Sequence, residues 1–427
     1  MANKKYIDNI ISCGLDFGTS NSTLATSHHS QTTLATLDGK SPILKSAIFF
    51  DSEVKEHFIG QCGIDRYLEG GKGRLMLSLK SILGSPLLNE KIAVCGKWLT
   101  YRDIIGLVIK YIKDTAQEQL NTELTQVVCG RPVRYHDTDD ARDKLAQDTM
   151  ELIMKEQGFK EVSFQFEPIA AALDYESTIN HEQLALIIDL GGGTSDFTII
   201  KLNNKTQSIH RKSDILANCG IHIGGTNFDK DLSLHTIMPL LGKGSSILGM
   251  NGAKLEMPVS LYYDLTSWHL LNNLYDIKNI NNVKDLYLAS EQKWLIKRVI
   301  NVLQKRLGHY LLQAAENSKI KLSTTLNDVI DMAKVEHDLQ VLISREHFES
   351  YCHNLINDLQ DTIQKTLTTA GINANQIDSV FLTGGTTQIP SVHRMIEAIF
   401  PNSTFVTGDI YGSVGKGLAI TAAQLWT

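Results

Sequence analysis

Two distant stretches of this chain share one order of apolar and polar positions. Residues 14–23 read Gly-Leu-Asp-Phe-Gly-Thr-Ser-Asn-Ser-Thr, and residues 187–198 read Ile-Ile-Asp-Leu-Gly-Gly-Gly-Thr-Ser-Asp-Phe-Thr. Each is a short apolar strand ending near an Asp, then glycine with Thr-Ser, then a second strand-like run. Glycine admits the tight turn, so each stretch predicts a β-hairpin, headed by Asp16 and Asp189. Their separation suggests two lobes of similar core topology. Elsewhere the period alternates between strand and helix. Residues 43–60 are strand-like, and Ile104, Ile105, Val108 and Ile112 give 100–120 a helical spacing. A buried strand is expected at 124–130, and a helix at 138–157, with Thr138 as a candidate cap and Asp139 and Asp140 in its first turn. A further helix follows Pro168 over 168–178. After 228 the pattern is helix-rich to about 322, its stripe Leu295, Val299, Val302 and Leu303 reading as core. Then come an exposed strand pair over 323–343, a helix over 346–370 stopped by Gly371, a strand over 378–383 and a helix over 391–400 between Pro390 and Pro401. Strands alternating with helices place the chain in the α/β class.

Composition narrows the function. The 427 residues hold 41 Lys and Arg against 47 Asp and Glu, a net charge of −6, which disfavours a nucleic-acid binder held by a basic face. At 42% hydrophobic and 21% charged residues, a folded globular chain is expected. No stretch approaches the ~20 apolar residues of a membrane span, and Asp8 and Asn9 interrupt the N-terminal apolar segment. The six cysteines form no CxxC pair and read as buried thiols of a reducing, cytoplasmic compartment.

Glycine turns after strands are candidate phosphate sites, because backbone N–H groups converge there without side-chain intrusion. A Walker A loop is excluded: Gly39-Lys40-Ser41 has Leu34 where the motif needs glycine, and Lys243 is followed by Gly244. No GxGxxG fingerprint occurs. Two more glycine turns stand at Gly224-Gly225-Thr226 and at Gly384-Gly385-Thr386. Asp137, Asp139, Asp140 and Asp143 lack EF-hand spacing and read as helix-start charge, and His28-His29 as an exposed turn.

With these motifs in order, the chain resembles the ATPase domain of the DnaK-type, seventy-kilodalton heat-shock chaperones in the actin–hexokinase superfamily. Gly14 to Ser22 looks like the first phosphate loop and Asp189 to Asp196 like the second. Glu167 to Leu173 resembles the first connecting helix, Leu382 to Pro390 the adenosine motif, and Asp409 to Gly415 the second connecting segment. Lys80 falls where the family places its catalytic lysine, and Glu316 to Ser323 resembles the adenine-clamping helix. The likeness runs from Gly14 to about Gln424. It implies an actin/hexokinase-like fold of two lobes, each a duplicated βββαβα core with an outer subdomain. Lobe I would span 1–183 (core 1–38 and 107–183, outer part 39–106) and be closed by a C-terminal helix over 408–427. Lobe II would span 184–407 (core 184–227 and 323–407, outer part 228–322).

The resemblance further implies ATP or ADP with Mg²⁺, and allows K⁺ as another ion. The phosphates and the rest of the nucleotide would be held by Gly18, Thr19, Ser20, Asn21, Gly191, Gly192, Gly193, Gly224, Gly225, Thr226, Glu316, Lys319, Ser323, Gly384, Gly385, Thr386 and Asp409. A carboxylate facing phosphate repels it, so Asp16 and Asp189 are assigned to Mg²⁺ through its waters. Lys80 would orient the attacking water, Glu167 and Asp189 hold it in line, and Thr194 meet the γ-phosphate. The function implied is a slow, Mg²⁺-dependent ATPase that switches lobe closure and acts as a monomer through co-chaperone or client-binding proteins, without nucleic acid or membrane. The rival readings on this fold are a small-molecule kinase, an actin-like filament former and a nucleotide-sensing regulator. Against the family pattern, Gln388 and Ile320 stand where Arg is usual, Thr226 where Glu is common, and Ser195 replaces an aromatic; residues 129–135 match its proline-switch segment loosely. The sequence ends at Thr427, so the resemblance is to stand-alone, YegD-type members, and no linker or peptide-binding domain is expected. For Lys80 the plain alternative is a surface lysine; for Glu316, Lys319 and Ser323 it is a solvated helix face.

Overall fold

Glycine turns and the β-branched, apolar runs beside them build two sheets of matching connectivity. In the first, Ser12–Phe17 pairs antiparallel with Asn21–His28, which pairs with Gln31–Leu34. On its other side Ser12–Phe17 runs parallel to Gln126–Arg131, and that strand parallel to Glu161–Phe166. The second sheet repeats the plan: Gln183–Leu190 pairs antiparallel with Ser195–Leu202, which pairs with Ile215–Ile221. Its other side is parallel to Ser379–Thr383, which is parallel to Thr404–Val406. Each sheet is thus built on a three-strand meander extended by two parallel strands, and the first adds the short strand Leu44–Lys45 beside Asn21–His28.

This computed structural model describes residues 12–28, 31–136, 139–176, 178–203, 211–249, 252–268, 270–406 and 412–426. They form two compact units. The first takes in the described residues of Met1–His222, Asp361–Thr387 and Glu397–Thr427; the second takes in those of Ile223–Gln360 and Gln388–Ile396.

Both sheets belong to the first unit. One core cluster of this unit joins Leu15, Phe17 and Leu24 to Ile104, Ile105, Val108 and Ile112 of helix Tyr101–Leu120 and to Met150 and Ile153 of helix Asp140–Glu156. Thr100 and Asp103 cap the former helix reciprocally. Asp139 caps the latter; Thr138, the expected cap, lies outside the described residues, as do Asp137 and His29. Helix Glu167–Glu176 meets the C-terminal helix Ser413–Trp426, where Val128, Ala170, Leu418 and Ala422 form a small cluster. The close approach needs the glycine at 417, where a Cβ would overlap the Ala170 carbonyl.

In the second unit helix Gly225–Leu240, with Phe228 and Leu232 buried, packs on helix Gly308–Thr324; Val299, Val302 and Leu303 of helix Lys293–Gln304 are buried too. A small hairpin, Ser246–Leu248 with Lys254–Glu256, interrupts the stretch expected to be helical. The strand pair expected over 323–343 is Asn327–Asp331 with Gln340–Ser344. The helix expected over 346–370 is two, Arg345–Tyr351 and His353–Ala370, the first capped by Ser344. Gly371 follows with φ 69°. Of the six cysteines expected to be buried, Cys13, Cys129 and Cys352 are; Cys62 is exposed, Cys95 and Cys219 are half-buried, and all six are free thiols.

Candidate functional site

The first hairpin carries Asp16 on its rising strand, and Gly18 to Asn21 turn it. Ser46, a residue the motifs did not single out, fastens that turn: its N–H donates to the Ser20 carbonyl at 2.9 Å and its hydroxyl to the Gly18 carbonyl at 2.8 Å. In the second hairpin, Gly191 N–H donates to the Thr194 carbonyl at 2.9 Å, closing the turn over Gly192 and Gly193. The two turns touch, since a Cβ on Gly192 would overlap the Ser20 hydroxyl. The third turn joins them: Thr386 Oγ1 donates to the Gly191 carbonyl at 2.9 Å, and Gly384, at φ 80°, lies where a Cβ would overlap the Leu190 carbonyl. Gly18–Asn21, Gly191–Thr194 and Gly384–Thr386 are therefore brought together within the first unit. Asp409 lies outside the described residues.

Charge collects beside these turns. Lys80 Nζ reaches Glu167 Oε1 at 2.6 Å, with side chains only 11% and 14% exposed, so Lys80 is not the surface lysine of the plain alternative. Burial pulls the Lys80 ammonium down, but Glu167 and Asp16 outweigh it and hold it above its ordinary value. Asp16 is pushed up to about 7 by burial, then by the Glu167 charge, with Asp189 adding to it and Lys80 opposing. Asp189 is raised by burial and Glu167, against a Thr383 hydrogen bond and Lys80. Three carboxyl groups thus face one ammonium, an excess of negative charge that suits a hard cation. Among the described residues no three His, Cys, Asp or Glu side chains converge as direct ligands. Asp16 and Asp189 are the carboxylates beside these turns that could hold Mg²⁺ through its own waters. An open cavity of about 810 Å³ begins at Asn21 and is lined by Lys45, Gln61, Cys62 and Asp65.

The remaining candidates lie in the second unit. Lys319 Nζ bonds the Gly225 carbonyl at 3.1 Å and Asp229 at 2.9 Å, so Lys319 meets the Gly224–Thr226 segment. With 12% of its side chain exposed, Lys319 is no part of a solvated face. Glu316 accepts from Gln313 at 3.1 Å, and the Ser323 hydroxyl is turned back onto the Lys319 carbonyl at 3.3 Å.

A family model described as Hsp70 protein matches residues 12–244 and 287–426. The chain belongs to the Hsp70 family. Membership brings the actin/hexokinase-like ATPase fold, of which the two matching sheets are the duplicated core. The chain is also similar to the chaperone protein DnaK of Thermosipho africanus (strain TCF52B), 25% identical over 433 residues, covering 100% of this chain and 60% of that protein. It therefore spans about 60% of the length of this Hsp70 relative. No helix among the described residues is long and apolar enough to cross a membrane.

Besides Ser46, motif reading missed His136 and Arg142. Both act on the turn that carries Lys80, across sequence gaps of 53 and 58 residues that no local pattern spans.

Proposed function

We propose that this Hsp70-family chain binds ATP and ADP with Mg²⁺ and hydrolyses ATP slowly to ADP and phosphate, acting in the cytoplasm as a chaperone-type switch with co-chaperone or client-binding proteins. The observation that carries the reading is the meeting of Lys80, Glu167, Asp16 and Asp189 beside glycine turns that touch one another. Backbone N–H groups of Thr19, Ser20 and residues 191–194 would donate to the phosphates. Asp16 and Asp189 would hold the ion's waters, and Mg²⁺, when bound, supplies positive charge against the phosphate oxygens. Lys80 would orient the attacking water, with Glu167 fixing the ammonium, Glu167 and Asp189 holding the water in line, and Thr194 meeting the γ-phosphate. Slow turnover is supported by the Glu167 carboxylate being engaged by Lys80 at 2.6 Å rather than free as a base. Glu316, Lys319 and Ser323 would take the adenosine end, as the family resemblance implies. Two lobes, 1–183 and 184–407, would close with nucleotide.

Release of phosphate from γ-labelled ATP by the purified chain tests the reading. Activity that needs Mg²⁺ and is lost in Lys80→Ala, with ADP affinity kept within a few-fold, is the expected result. Undiminished phosphate release by Lys80→Ala refutes the assignment of Lys80.

A further inference from the structure

Lys80 sits on a short turn whose shape is set at both ends by left-handed backbone. Ser78 enters it at φ 57° and Gly84 leaves it at φ 73°. A left-handed Ser is held only where its surroundings over-determine it. Inside the turn, Ser81 N–H donates to the Ser78 carbonyl at 3.0 Å, Leu83 N–H to the Lys80 carbonyl at 3.2 Å and Ser85 N–H to the Ile82 carbonyl at 3.0 Å. The Ser81 hydroxyl adds a 2.7 Å bond to the Ser78 carbonyl.

Two carbonyls at the far end point away from the turn and are taken by side chains from the segment after strand Gln126–Arg131. His136 Nε2 lies 3.0 Å from the Leu83 carbonyl, and Arg142 Nε donates to the Gly84 carbonyl at 3.2 Å. A carbonyl only accepts, so His136 Nε2 carries a hydrogen and donates. Only glycine allows this approach: a Cβ on Gly84 would lie 2.6 Å from the Arg142 carbonyl and 2.8 Å from His136 Nε2.

Tyr135, next to His136, and Arg131 are themselves tied down. Tyr135 N–H donates to Asp143 Oδ1 at 2.6 Å, and Arg131 meets the same carboxylate at 2.9 Å. Arg131 also donates to the Pro132 carbonyl at 3.0 Å and lies over the rings of Tyr135 and Phe166, at 5.4 and 5.3 Å. Phe166 directly precedes Glu167. The two members of the Lys80–Glu167 pair are thus approached from one anchored segment.

The geometry points to His136 and Arg142 as positioning residues for hydrolysis: a two-point clasp on the Leu83 and Gly84 carbonyls fixes the turn from which Lys80 reaches Glu167. The clasp touches neither nucleotide nor water, and acts through Lys80. Its catalytic consequence rests on the proposed ATPase reading; its structural consequence does not.

The test reads both. In the nucleotide-free protein, hydrogen exchange at the amides of Ser81, Leu83 and Ser85 reports the turn. His136→Ala and Arg142→Ala should each speed that exchange and slow single-turnover ATP hydrolysis roughly tenfold, a size typical of a reacting group displaced by a fraction of an ångström. ADP affinity should stay within twofold. His136→Gln places an N–H donor at similar reach and should restore both readouts. Unchanged exchange in both alanine variants overturns the clasp. Slowed hydrolysis without faster exchange, a loss of ADP affinity in proportion to rate, or failure of His136→Gln to restore the rate overturns the positioning role. Faster exchange in the variants of a protein that shows no hydrolysis even unmodified leaves the clasp standing and removes the ATPase reading instead.

Discussion

Asp16 keeps its proton to about pH 7 because burial and two neighbouring carboxyl groups penalise its charge. The sign of the linkage follows. Below the unfolded-state value near 3.8 both states are protonated and nothing is gained or lost. Between there and about 7 the folded chain holds a proton that the unfolded chain has released, so stability falls as pH rises, and the full cost is present above 7. Asp16→Asn removes that cost. Its melting temperature without nucleotide should exceed that of the unmodified chain by roughly 1–2 °C at pH 8 for each kcal/mol relieved, and the gain should shrink toward pH 4. Equal melting curves at pH 8 would contradict the burial argument. The same substitution should weaken the dependence on Mg²⁺, seen by titrating the ion against nucleotide affinity, because one of the two carboxylates proposed to face the ion's waters would be gone.

Turns and helices show how glycines can serve shape in one place and function in another. A Cβ on Gly193 meets nothing within 4 Å, and its φ is not left-handed. Gly193→Ala should leave the melting temperature within about 1 °C yet cost at least ~tenfold in ADP affinity, since a methyl group would stand where the proposed phosphate would approach backbone. Calorimetry and an ADP titration check the pair. Gly417 is the opposite case: a Cβ there overlaps the Ala170 carbonyl. Gly417→Ala should lower stability by about 1–3 kcal/mol, read by denaturant unfolding, whether or not nucleotide is present. Both hairpins were legible in the sequence because glycine, Thr-Ser and alternating apolar residues fix turn and register locally. Helix Tyr101–Leu120 was legible from its apolar spacing. The break between Tyr351 and His353 was not, because the apolar spacing continues across Cys352. Neither was the grip of Ser46 on Gly18 and Ser20, nor that of His136 and Arg142 on the Lys80 turn. These are side chains meeting carbonyls far away in sequence, and composition carries no trace of such meetings.

At the scale of the molecule, a ligand that binds only the folded state stabilises it by mass action. ADP with Mg²⁺ at about a hundred times its dissociation constant should add ~2.7 kcal/mol, and a chelator should reverse most of it. A melting temperature indifferent to ADP would remove nucleotide from the account. The pairing of the strand that bears Asp189 has a consequence during translation. Its neighbour, Ser379–Thr383, is joined to it by a bond from Thr383 to Ile188 across 195 positions. While the ribosome makes the second unit, the nascent strand Gln183–Leu190 therefore waits with one edge unpaired and an apolar run, Leu184 to Ile188, uncovered. A message truncated before the codon for Ser379 would leave a product with its second sheet open, prone to edge-to-edge association and to proteolysis, although both glycine-turn hairpins had already been synthesised.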